Sequence, residues 1–167
     1  MDQHVNFLQY LVDKGGPCIE DFYGLDAWIA EIAESARKGK LTSGDIKRLR
    51  GDVLGDAFSV ETMQGFAFQK PHGYAGDFEI SDRIYQKYTS NKPHLTEWDI
   101  FWQDHAATHA VRNRVEYFYQ QLSRSQFSTQ ISERGAGAEI LNLASGPGRN
   151  MLKHLTLETA AEFGQKP

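Results

Sequence analysis

Two glycine-containing stretches hold the residues whose types and spacing could do chemistry. The later one runs Glu139-Ile140-Leu141-Asn142-Leu143-Ala144-Ser145-Gly146-Pro147-Gly148-Arg149-Asn150. Its apolar run, Ile140 to Leu143, has the length and flanks of a buried strand. Small residues from Ala144 to Gly148 stop that run, and Met151, Leu152 and Leu155 resume at helical spacing. Strand, glycine turn and helix open a nucleotide-binding unit in α/β sheets. Glycines let the backbone approach a ligand, and the helix start aims free N–H groups at it. The same residues also read as an ordinary tight turn, where Gly and Pro are expected anyway.

The earlier stretch is Gln69-Lys70-Pro71-His72-Gly73-Tyr74-Ala75-Gly76-Asp77. A proline, two glycines and a terminal Asp describe an ordered loop that ends at a helix N-cap. Asp77 would cap a helix containing Ile80, Ile84, Tyr85 and Tyr88. Tyr74 reads either as a plug for a helical body or as a ring offered to a ligand.

Other candidate groups carry less. His105 and His109 stand four apart beside Asp104, a spacing that can present two imidazoles to one metal. No HExxH pattern exists, and only the loop residues His72 and His94 could complete a set, so a core or helix-surface pair is expected and no metal. The single cysteine, Cys18, excludes an internal disulfide and a cysteine-based zinc site. It has no visible activating histidine, and no nucleophile elbow or triad supports a hydrolase.

The elements that must position these residues are mostly helical. Residues 4–14 form an amphipathic helix with Val5, Leu8, Leu11 and Val12 on one side, broken by Gly15-Gly16-Pro17. A second spans Ile19 to Lys38, and a third starts after Ser43 with Ile46, Leu49, Val53 and Leu54 as its stripe. One or two short helical turns are expected from Asp56 to Phe68. A loop from Thr89 to Leu95 leads to Thr96-x-x-Asp99, an approximate capping box. The longest helical pattern follows, Trp98 to about Ser125, with a kink allowed. Its Trp98, Phe101, Trp102, Phe118 and Tyr119 read as core, with an apolar substrate pocket as the other reading. Polar and small residues from 123 to 138 mark the best boundary.

Bulk numbers set the frame. At 167 residues with 40% hydrophobic and 24% charged residues, the chain can build one ordinary core. A net charge of −4 argues against non-specific nucleic-acid binding. No apolar run approaches the roughly 20 residues of a bilayer span. The polar start, Met-Asp-Gln-His, is unlike a signal peptide, so a cytoplasmic location is expected.

The later stretch resembles the first motif of class I S-adenosylmethionine-dependent methyltransferases, an acidic residue followed by three alternating glycines. Asn142 stands at the acidic position, Ala144 at the first glycine, and Gly146 and Gly148 at the second and third. Together with the Lys-Pro-x-Gly-Tyr-x-Gly-Asp loop and the segment Ala110-Val111-Arg112-Asn113-Arg114, it is similar to a bacterial subgroup with a helical N-terminal region. That subgroup is described in 3-hydroxypalmitic acid methyl ester (extracellular factor) biosynthesis. The resemblance spans roughly Phe66 to Leu155 and leaves the first 60 residues without a placed motif.

The resemblance implies a mainly α chain: a helical cap at 1–127, a connector at 128–138, and the first strand-turn-helix unit of a Rossmann-like methyltransferase fold at 139–167. It implies S-adenosylmethionine as cofactor, held by Asn142, Ala144, Ser145, Gly146 and Gly148, with Tyr74 and Asp77 facing the site. Arg112, and less so Arg114, could pair with a carboxylate; both also read as helix-surface residues. The acceptor would be a small molecule or lipid, such as a fatty-acid carboxylate. With one strand, the unit is incomplete, so inactivity alone and self-association through the unpaired strand edge are expected. The competing reading is a helical interaction or dimerisation module without catalysis.

Overall fold

The computed structural model describes residues 1–73, 78–122 and 147–149. Among these the regular structure is helical, in accord with the mainly α expectation, and there is no strand. The expected strand at 140–143 and the connector at 128–138 lie outside the described residues. The chain divides into two compact units, Met1–His105 and Ala106–Pro167.

The first unit begins with α1 (Asp2–Asp13) and α2 (Ile19–Arg37). Gly15 and Gly16 take φ of +84° and +122°, the left-handed region that favours glycine. A Cβ on Gly16 would come within 2.7 Å of the Glu97 Cβ, so the missing side chain is what lets this turn pack against the later helix. Cys18 caps α2: its N–H donates to Asp21 Oδ2 at 2.8 Å, and Asp21 also pairs with Lys14. Asp21 is thereby held below the usual carboxylate range, first by the Cys18 side chain and then by Lys14.

Next comes α3 (Ser43–Arg48), capped by Thr42, whose hydroxyl accepts the Asp45 N–H at 3.1 Å while Asp45 accepts the Thr42 N–H at 2.8 Å. The expected single stripe does not continue as α-helix: Leu49–Val53 forms a π-helical turn, closed by the Leu54 N–H on the Leu49 carbonyl at 3.0 Å. A 3₁₀ turn, Gly55–Phe58, and α4 (Met63–Gln69) follow, matching the short turns expected there. α5 (Phe78–Tyr85) starts one residue after Asp77, the expected cap, which lies outside the described residues.

Two expectations are corrected. Thr96 and Asp99 form no capping box, because α6 (Pro93–Asp104) starts earlier, with Lys92 as N-cap and Pro93 in its first turn. Asp99 is instead wholly buried within α6, where its two carboxylate oxygens accept the Met63 and Ser90 N–H groups, each at 2.7 Å. The long helix from Trp98 is also two helices. His105 is extended (φ −66°, ψ 143°), and α7 (Ala106–Leu122) begins anew after it.

The core of the first unit joins Leu11, Leu25, Ala57, Leu95, Trp98 and Phe101, with a second cluster of Leu8, Leu49 and Val53. Gly65 in α4 allows the tightest approach: a Cβ there would fall 1.8 Å from the Ser59 carbonyl oxygen. In the second unit, α7 half-buries Val111, Arg112, Val115, Phe118 and Tyr119 and exposes Tyr117. Among the described residues no helix is long and apolar enough to cross a membrane.

Candidate functional site

The glycine loop after α4 is built from a stem that several side chains hold. Lys70 closes α4 in the left-handed region, φ 48°, with its N–H on the Phe66 carbonyl at 3.1 Å. That conformation is uncommon and strained for a residue with a side chain. Gly73, at φ +79°, returns its N–H to the Lys70 carbonyl at 2.7 Å. The two left-handed residues turn Pro71 and His72 back toward α5.

His72 Nε2 lies 2.8 Å from Glu79 Oε2, and its ring stacks on Phe78 with centroids 5.8 Å apart. Glu79 Oε1 accepts from Arg83 at 2.9 Å. The Arg83 guanidinium sits 3.8 Å from the Phe66 ring centroid and donates to the Val60 carbonyl at 2.9 Å. Hydrogen bonding from His72, and then from Arg83, holds the Glu79 carboxyl below the usual range. Chemically, Glu79 orients an imidazole with an ion-paired carboxylate, which fixes the stem from which the loop departs. Tyr74 and Asp77 lie outside the described residues.

Of the residues expected at the cofactor in the second unit, Arg112 and Gly148 are described. Arg112 is half-buried on α7 and Arg114 is exposed. Gly148 has φ +67°, and among the described residues nothing lies within 4 Å of where its Cβ would be. Arg149 follows in helical conformation. A left-handed backbone directly before a helical residue favours glycine over a residue with a side chain. Asn142, Ala144, Ser145 and Gly146 lie outside the described residues.

No protein-family model, curated protein or solved structure matches the chain.

The histidine pair does not present itself as the spacing suggested. His105 leaves the helix, lies 4.0 Å from Asp26 Oδ1 and tilts against Trp102. Among the described residues no three His, Cys, Asp or Glu side chains gather as a metal site.

A feature the sequence offered only as the second reading of its aromatics lies within the first unit: a cavity of about 580 Å³ between α2, the π-helical turn, α4 and α6. Its wall is almost wholly apolar and includes Trp28, Trp98, Phe101 and Trp102, so three of the aromatics read from sequence as core or pocket line a pocket. Arg50 and Gln64 are its polar members. The half-buried Arg50 guanidinium lies 4.0 Å from the Phe68 ring centroid and 5.5 Å from that of Phe58, and burial lowers its pKa. What could have signalled the site in the sequence is a basic residue, Arg50, following Leu49 directly inside an apolar stripe.

Proposed function

We propose that the chain is the N-terminal part of an S-adenosylmethionine-dependent methyltransferase, a helical cap followed by a glycine-rich cofactor loop. The observation that carries the reading is the pairing of two motifs, Lys70-Pro71-His72-Gly73-Tyr74-Ala75-Gly76-Asp77 and Asn142-Leu143-Ala144-Ser145-Gly146-Pro147-Gly148. The left-handed backbone of Gly148 and the clamped stem at His72 support it.

The cofactor's sulfonium would supply an electrophilic methyl group. Methyl transfer in line to a nucleophile needs placement and water exclusion more than covalent help. The chain's own part is to receive the amino-acid end of the cofactor at the amides beside Gly146 and Gly148. The helical residue Arg149 would add its backbone N–H, a donor suited to a carboxylate. By the resemblance Tyr74 and Asp77 would belong to the cofactor set, Arg112 would pair a carboxylate bidentately, and the acceptor would be an apolar acid such as a fatty-acid carboxylate.

Isothermal titration with S-adenosylmethionine and S-adenosylhomocysteine tests the proposal. Saturable binding that Gly146→Val weakens supports the site.

One observation favours the second reading, an interaction module. Ile19 and Tyr23 stand one turn apart on α2 with 77% and 86% of their surfaces exposed, an apolar pair that a partner could cover. Sedimentation over a range of concentrations separates the two. A concentration-dependent dimer that Tyr23→Ser dissolves, with no cofactor binding, favours the module.

A further inference from the structure

The cavity of the first unit has a size and an electrostatic composition that packing alone does not explain. Its volume of about 580 Å³ falls in the range of small-molecule pockets, about 300–1,000 Å³. Cores are normally filled to crystal density. Here six aromatic residues, Trp28, Phe58, Phe68, Trp98, Phe101 and Trp102, line a cleft that opens to solvent beside the half-exposed Phe68.

Three of its lining residues carry polar atoms that are enclosed without a hydrogen-bond partner: Trp28 Nε1, Trp98 Nε1 and Gln64 Oε1. Gln64 is only 7% exposed, and its Nε2 already donates to the Ala57 carbonyl at 2.6 Å. These atoms are closed off from water, so they mark incomplete hydrogen bonding in the packing beside the cavity rather than groups a ligand would reach.

Arg50 is the cation of the site. Aromatic faces of Phe58 and Phe68 are its partners, and among the described residues no carboxylate pairs with it. A half-buried guanidinium without an anion keeps its five donors under-used, and its planar fork matches a carboxylate. The π-helical turn at Leu49–Val53 carries it, and such turns recur at functional sites. Arg50, Phe58 and Phe68 also wall a second cavity of about 690 Å³, whose lining includes Thr42, Ser43 and Lys47. The guanidinium therefore stands where an almost wholly apolar cavity meets a second one that also carries hydroxyl and ammonium groups.

We propose that the apolar cavity binds a small amphipathic carboxylate with a ring-containing body, its rings among Trp28, Trp98 and Phe101 and its carboxylate on Arg50. The aromatic wall selects rings over a plain alkyl chain, because offset and edge-to-face contacts add to the burial of area. Every lining residue belongs to the first unit, so the site is independent of the glycine turn and of the methyltransferase reading.

The test uses the full 167-residue chain and a matched pair of probes, 1-pyrenebutyrate and its neutral counterpart 1-pyrenebutanol, titrated calorimetrically. The acid binds with 1:1 stoichiometry and about tenfold more tightly than the alcohol, the preference expected of a charge-assisted pair. Arg50→Met removes that preference while leaving the alcohol's affinity within about twofold, as burial without charge requires. Ala67→Phe, which fills the chamber, weakens both probes. Circular dichroism checks that each variant folds. If Arg50→Met does not fold, Arg50→Lys and the salt dependence decide: the acid's affinity must fall with salt while the alcohol's does not. Absence of saturable binding, equal affinities for acid and alcohol in the unmodified chain, or an acid preference that survives Arg50→Met overturns the site. Dodecanoate binding more tightly than pyrenebutyrate overturns the ring assignment.

Discussion

Gly65 has no room for a side chain, since the Ser59 carbonyl oxygen occupies the space its Cβ would need. Gly65→Ala must displace backbone rather than a flexible tip, and a loss of at least about 3 kcal/mol is expected, the upper end of overpacking costs. Thermal unfolding would check it; an unchanged midpoint contradicts the packing. Asp99 makes a different demand. Each of its oxygens accepts one backbone N–H, from Met63 and from Ser90. Asp99→Asn turns one acceptor into a donor facing a donor, and a loss of about 1–3 kcal/mol follows from the stranded N–H. Burial raises the Asp99 pKa above the ordinary 3.8 despite those two donors. A group whose folded pKa is raised contributes most below its unfolded value, and that contribution is lost as pH rises through the folded value. Comparing urea midpoints of wild type and Asp99→Asn from pH 3 upward should show this slope in wild type alone. None of this was legible in the sequence. Thr96-x-x-Asp99 has the spacing of a cap, and only the tertiary contact with Met63 shows that Asp99 serves another helix.

At the scale of elements, the pattern of apolar residues placed most helices. Leu8 and Leu11 in α1 and Leu25 in α2 point where their spacing says, and Gly15 and Gly16 end α1 as glycines in the left-handed region do. The interruptions were harder to read. The π-helical turn keeps Leu49 and Val53 buried, so the apolar stripe looks continuous while the backbone is not. The break at His105 has no proline or glycine to announce it. At the loop stem, the glycines and Pro71 predicted order, yet the clamp itself depends on Glu79 reaching back to His72. Glu79's depressed pKa sets the opposite sign from Asp99. Its contribution is present above an unfolded value near 4.5 and is lost as pH falls through the lower folded value. Glu79→Gln should therefore flatten the acid side of the stability curve, measured by urea midpoints between about pH 5 and pH 3. An acid limb identical to wild type contradicts the clamp.

At the scale of the whole molecule, the chain is two compact units, and each carries a candidate site of its own. The first holds an aromatic cavity edged by Arg50. The second holds Gly148, whose φ of +67° lies in the left-handed region that favours glycine. Sequence favoured the second because glycine spacing is visible in one dimension. A cavity assembled from α2, α4 and α6 is not, since no single stretch contains it. The measurement that bears most directly on the central claim is calorimetric titration of the chain with S-adenosylmethionine, beside Gly146→Val and Gly148→Val. Saturable 1:1 binding, weakened about tenfold or more by each substitution, is the predicted result, because a branched side chain blocks the approach and is strained at positive φ. Absence of binding, or binding that both valines leave unchanged, would contradict a cofactor role for the glycine turn.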